Sequence, residues 1–304
     1  MYPLVSHLFI FVLAIVPSFG WMAVYRSLDN RDPEPKKPSF LAFFLGILST
    51  LPVFGLQIVF SQFPHLNLVS LLQNNIQSTL LSTSIFLLFV AFIEESMKAI
   101  AFLYIVQKAR NHFNQIVDGI VYGALVGIGF AMAENIYYFM RAMETFSFSG
   151  NFLAIFSIRS FGTMLAHTLF TGIFGFYFAK AYFSPFIDEE SKKERLWQNF
   201  RKNAREAIRL HATFFHLMPK RDGEVKSFRR NALILEGFLV AVFIHFLYNG
   251  FIKLELFGQN WTFVIIPLVF VVAWKVWSRF FISMYTRIID FVKIRKGVYK
   301  LKVH

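Results

Sequence analysis

Residues 80–106 read LLSTSIFLLFVAFIEESMKAIAFLYIV, an apolar run whose only charged residues are Glu94, Glu95 and Lys98. A stretch of this length crosses a bilayer as a helix, since about 20 residues suffice at about 1.5 Å per residue. Each charge near the centre of such a helix costs about 2.5–3.5 kcal/mol even on the lenient insertion scale, so the three together cost on the order of 10 kcal/mol. Groups that expensive face protein or a water-filled cavity. The run therefore predicts an all-α, polytopic membrane helix bundle with a polar centre.

Composition agrees with that reading. The chain has 304 residues, 56% hydrophobic, with 41 phenylalanines, which sets it apart from soluble domains. It has no cysteine, so thiol catalysis, cysteine metal sites and disulfides are excluded and any nucleophile or ligand is oxygen or nitrogen. A net charge of +13 would point to nucleic acid in a soluble protein. Here the positive residues lie between apolar runs and are read as orientation signals, and no nucleic-acid partner is expected.

Spanning runs occur at about residues 4–24, 40–60, 80–106, 115–139, 154–183, 232–252 and 261–282, about seven in all. Arg26, Arg31, Lys36 and Lys37 follow the first run, Lys108 and Arg110 follow the third, and residues 184–231 and the tail beyond Arg279 are rich in Lys and Arg. The alternate loops are nearly free of them. This bias predicts the N-terminus outside and the C-terminus in the cytoplasm. The first run lacks a charged leader, so it is expected to be a retained helix. Residues 1–304 read as a single membrane-embedded domain, with 184–231 a basic cytoplasmic loop and 283–304 a basic cytoplasmic tail. Within that loop, residues 188–218 have the spacing of a basic surface helix suited to an anionic leaflet.

On a helix Lys98 is four residues from Glu94 and three from Glu95, within reach of either carboxylate. The fourth run, DGIVYGALVGIGFAMAENIYYF, places Gly119, Gly123 and Gly127 one turn apart, a face for close helix packing. It then presents Glu134 and Asn135. His167 in the fifth run and His245 in the sixth are the only histidines deep in apolar sequence, with Thr163 and Thr171 at helical spacing from the first and Asn249 from the second. With the orientation above, all these groups fall within reach of one outward-opening cavity. A bland reading is an ion pair that locks helices together; the convergence of carboxylates, imidazoles and amides from four runs favours a hydrolytic centre.

Two mechanisms of peptide-bond hydrolysis fit those groups. Either Glu94 or Glu95 is a general base toward water, with His and Asn donors stabilising the oxyanion. Alternatively His167, His245 and Glu134 bind a divalent metal such as Zn²⁺, with a remaining glutamate as base. HExxH and the GxSG and GxGD signatures of other membrane proteases are absent.

The order of DPEPK (32–36), EESMK (94–98), DGIVYGALVGIGFAMAEN (118–135), His167 and HFLYN (245–249) resembles the PrsW family of bacterial intramembrane proteases, and more distantly the type II CAAX prenyl endopeptidases. The resemblance spans roughly residues 15–255. It implies a multi-pass endopeptidase of the bacterial cytoplasmic membrane that cuts a single-pass membrane protein, in the best understood case an anti-sigma factor, near the extracytoplasmic side. It further implies catalytic roles for Glu94, Glu95, Glu134, His167 and His245, with Asn249, Lys98 and Asn135 in support. Lys98 falls where the CAAX relatives carry an arginine at another spacing, which argues against a prenylated substrate. The competing class is a seven-helix sensor, receptor or transporter. Lys275 in the last run would suit a retinal protein, but it lies at the cytoplasmic end beside Trp274 and Trp277, as an interfacial lysine does.

Overall fold

The computed structural model describes residues 4–27, 33–191 and 222–253. Every regular element among them is helical. The helices are α1 (Leu4–Arg26), α2 (Lys36–Leu48), α3 (Leu51–Gln62), α4 (Leu68–Asn75), α5 (Thr79–Lys108), α6 (Ile116–Phe146), α7 (Gly150–Ser157), α8 (Met164–Ser191) and α9 (Asp222–Lys253). A π-helical turn, Ile158–Thr163, joins α7 to α8. Five stretches are long and apolar enough to cross a membrane: His7–Arg26, Lys36–Gln62, Ile116–Phe146, Gly150–Phe183 and Arg230–Ile252. The charged run at 80–106 forms as the unbroken helix α5 but is not among those five. The expected span at 261–282 with Lys275, the tail at 283–304, Asp32, and the basic segment beyond Ser191 lie outside the described residues.

Three local differences from the sequence reading have simple causes. The run at 40–60 is divided at Ser49–Thr50, because Pro52 has no N–H to continue the ladder. The Ser49 and Thr50 hydroxyls instead donate to the Gly46 and Ile47 carbonyls, each at 2.7 Å. The loop at 61–79 contains the short helix α4, whose first turn is capped by Asn67 Oδ1 accepting from Val69 N at 3.0 Å. Finally, α8 runs on to Ser191 and α9 begins at Asp222, so both helices extend into the region read as a loop.

α6 is the central helix, with 94% of its apolar window buried. It packs against α8, α2 and α1, while α9 lies on α8 and α5. Glycine sets the approach on two of its faces. A Cβ on Gly119, Gly123 or Gly127 would collide with the backbone carbonyls of Gly175, Thr171 and His167 on α8, and one on Gly129 with that of Phe43 on α2. The small-residue face read in the sequence is thus the seat of α8, and it sets the height of His167 against α6. Gly123→Ala is expected to cost about 1–3 kcal/mol through overpacking, read as a lower melting temperature in detergent. Gly55→Ala, where an added Cβ meets nothing within 4 Å, is expected to leave the melt unchanged or slightly raised.

The DPEPK segment ties the start of α2 to the start of α6. Glu34 is buried, receives the Tyr122 hydroxyl on its carboxylate, and receives Arg26 Nη2 on its carbonyl at 3.0 Å. At the same end Asp118 Oδ2 accepts from Gln115 N at 2.6 Å and so caps α6.

Candidate active site

The polar centre lies past the middle of α6 as counted from the Glu34 end, among α5, α6, α8 and α9. Glu94 and Glu95 stand at the middle of α5, Glu134 just past the middle of α6, His167 at the middle of the Gly150–Phe183 run, and His245 past the middle of α9. α6 and α9 leave the site toward the same end of the bundle, so the centre is displaced that way. Glu94, Glu95, Lys98, Asn135, His167 and His245 are all buried.

Lys98 is the hub. Its Nζ, fully buried, lies 2.7 Å from Glu95 Oε1, 3.4 Å from Glu94 Oε2 and 2.8 Å from His167 Nδ1. The Phe130 ring closes over it at 4.0 Å. An ammonium has only donors, so His167 Nδ1 accepts and its Nε2 carries the proton toward Glu134 Oε2 at 3.3 Å. His245 is held differently. Its Nδ1 donates to Glu95 Oε1 at 2.8 Å, and the ring stacks on Phe170 with centroids 4.8 Å apart. His245 Nε2 then lies 3.8 Å from Glu94 Oε2. Each imidazole therefore has its own carboxylate, Glu95 for His245 and Glu134 for His167.

The donors that converge are Glu94, His167 and His245, one atom of each lying within 4.8 Å of the others. Glu134, read with the two histidines as a ligand set, is not part of that group. It is engaged by Arg159 Nη2 at 2.7 Å and by His167. Asn135 does not touch the imidazoles: its Oδ1 accepts from Arg159 Nε at 2.9 Å and its Nδ2 donates to the Arg159 carbonyl at 3.3 Å. Asn249 is half-buried one turn beyond His245, and no hydrogen bond joins it to the cluster among the described residues. Thr163 pairs with the Tyr248 hydroxyl at 2.8 Å rather than with His167.

Arg159 is the residue that sequence reasoning missed. Three glutamates against one lysine leave a charge deficit that asks for a second cation, and Arg159 is the only arginine in the 154–183 run. Its position depends on the π-helical turn, which sequence periodicity does not announce. Such a turn frees carbonyls from the regular ladder, and side chains claim them: Trp21 Nε1 donates to the Ser160 carbonyl at 3.0 Å, and Asn135 to that of Arg159.

A bundle of apolar helices that buries carboxylates and imidazoles at a common level defines a polytopic membrane protein with a polar centre inside its membrane-spanning region. The family described as PrsW family intramembrane metalloprotease matches residues 34–223, more than half of the chain. Protease PrsW of Bacillus subtilis (strain 168) is 30% identical over 172 residues, which cover 56% of this chain and 67% of that protein. The Geobacillus kaustophilus Protease PrsW is 27% identical over 187 residues, 61% of this chain and 71% of that one. That of Oceanobacillus iheyensis is 27% identical over 235 residues, 77% and 91% respectively. No solved structure matches the chain significantly. The chain belongs to the PrsW family and is a membrane endopeptidase, a multi-pass protein of a bacterial membrane.

Proposed function

We propose that this chain hydrolyses a peptide bond of a single-pass membrane protein, of the anti-sigma-factor type, near the extracytoplasmic side, using water activated at Glu94, His167 and His245. The observation that carries the reading is the pairing of each imidazole with its own carboxylate while Glu94 faces both rings. Glu95 Oε1 takes two short charge-assisted bonds, from Lys98 and His245, and a carboxylate so engaged is a poor proton acceptor. Glu94 Oε2 is held only at 3.4 and 3.8 Å. Glu94 is therefore assigned to the water and Glu95 to orienting His245.

The donor set suits the divalent metal that the family description implies. Glu94, His167 and His245 offer one oxygen and two nitrogens, the kind of set that holds Zn²⁺ while leaving a position for water. The Lys98 ammonium occupies the His167 Nδ1 lone pair and reaches Glu94, so an ion held there would require Lys98 to withdraw onto Glu95, which it already contacts at 2.7 Å. When bound, such an ion supplies Lewis acidity at the site. Glu94 has one role at a time: with an ion bound it would be a ligand, and in the metal-free reading it receives the proton from water. In both, Glu95 and Glu134 fix the two rings and Phe130 and Phe170 wall the cluster against bulk solvent.

Seven spans, an outer N-terminus and a cytoplasmic C-terminus complete the proposal, with 1–304 as one protease domain whose segments 184–231 and 283–304 face the cytoplasm. Support comes from Arg26, Lys36, Lys37, Lys108 and Arg110, which lie at the helix ends away from the polar centre. The test uses His245→Ala in the full-length protein. Cleavage is expected to fall about 10²–10⁴-fold, and the affinity for Zn²⁺, measured against a chromophoric chelator, is expected to fall with it. A variant that keeps both wild-type cleavage and wild-type Zn²⁺ affinity contradicts the assignment.

A further inference from the structure

We propose that Arg159 is a positioning residue of the hydrolytic centre, acting on His167 through Glu134. The inference rests on the site reading above and deepens it. Arg159 touches neither imidazole; its Nη2 donates to Glu134 Oε2 at 2.7 Å, the same oxygen that lies 3.3 Å from His167 Nε2. The guanidinium is itself fixed by two further contacts, and the Arg159 backbone by a third. Asn135 Oδ1 accepts from its Nε at 2.9 Å, Asn135 Nδ2 binds its backbone carbonyl, and the Tyr138 ring lies 3.6 Å below its central carbon. Glu134 and Asn135 are adjacent on α6 and Tyr138 lies one turn beyond Glu134, so one arginine from the π-helical turn holds three residues of that helix.

This arrangement needs a planar fork. Lysine would keep the charge near Glu134, but it has no second donor in fixed geometry for Asn135 and stacks less well on Tyr138. Glu134 in turn needs the guanidinium. Without it the carboxylate would be drawn toward the other buried cation, Lys98, and away from His167 Nε2. A His167 ring that rotates no longer presents Nδ1 toward Lys98 or keeps its place in the group formed with Glu94 and His245. The guanidinium, though outside the converging donor group, thus sets the orientation of one of its members. Partners that orient a metal-ligating histidine typically contribute about 10–100-fold in affinity or activity.

The experiment compares wild type, Arg159→Lys, Glu134→Gln and the double variant as full-length proteins in detergent or liposomes. Arg159→Lys is expected to lower kcat about 10–100-fold with KM within about two-fold of wild type, since the guanidinium is taken up by Glu134, Asn135 and Tyr138 and acts through Glu134. The double variant is expected to be no slower than Glu134→Gln alone, because both changes cut the same link. With Zn²⁺ alone as the probe, Arg159→Lys is expected to weaken binding by a similar factor at an unchanged melting temperature. Wild-type kcat and Zn²⁺ affinity in Arg159→Lys, or losses that multiply in the double variant, overturn the proposal. Should Arg159→Lys not fold, Asn135→Ala, which frees the guanidinium at Nε and keeps its charge, must show the same kcat loss, and wild-type rates there overturn it equally. Loss of cleavage in His245→Ala with normal cleavage in Arg159→Lys sinks this inference alone and leaves the site reading standing.

Discussion

Glu94→Gln is expected to abolish proteolysis, with kcat lowered about 10²–10⁴-fold and the bundle intact. Glutamine has the same shape and removes only the proton-accepting and ligating oxygen charge. Because the Glu94 contacts to Lys98 and His245 are the long ones, at 3.4 and 3.8 Å, little structure rests on them. Glu95→Gln differs in kind. It weakens the bond that orients His245 and takes a close partner from Lys98, so a loss of about 10–100-fold is expected, together with a lower melting temperature. Adjacent glutamates are thereby separated by experiment: one change removes chemistry and spares stability, the other lowers both.

The largest expected effect on stability is at Lys98. Lys98→Met keeps the length of the side chain but leaves Glu94 and Glu95 buried without their shared cation. Removing one partner of a buried ion pair costs about 3–5 kcal/mol, mainly because the remaining charge is stranded. Here Lys98 is fully buried and also holds His167 Nδ1, so the variant is expected to accumulate poorly in the membrane and to melt at lower temperature. The double change Lys98→Met with Glu95→Gln strands less charge and is expected to recover part of the lost stability without recovering cleavage. A Lys98→Met protein with wild-type accumulation and melting would mean that the cluster is solvated rather than held by its lysine.

Much of this molecule is legible in the amino-acid sequence, and the parts that are not share a cause. Apolar run length reveals the spanning helices, and the cost of charge in such a run reveals Glu94, Glu95 and Lys98 without any structural information. The glycine period at 119, 123 and 127 reveals a packing face, although its partner, α8, is visible only in three dimensions. Helical spacing tells that Lys98 reaches both glutamates. It cannot tell that Glu95 bonds His245 at 2.8 Å while Glu94 stays 3.8 Å away, because that depends on where α9 lies. Arg159 escapes because its place is set by a π-helical turn that breaks the 3.6-residue period. Asn135, expected in support of the catalytic groups, holds Arg159, a relation between α6 and the π-helical turn that no single-helix pattern encodes.

The central claim is that Glu94 faces the reacting water while Glu95 orients His245. Its most direct test is the single-turnover rate for a single-pass membrane polypeptide that the wild-type protein cleaves in liposomes, measured side by side for wild type, Glu94→Gln and Glu95→Gln. The account predicts no measurable cleavage by Glu94→Gln at a wild-type melting temperature, with slow but measurable cleavage by Glu95→Gln. Cleavage by Glu94→Gln within about two-fold of wild type, or a reversed order of the two variants, would contradict it.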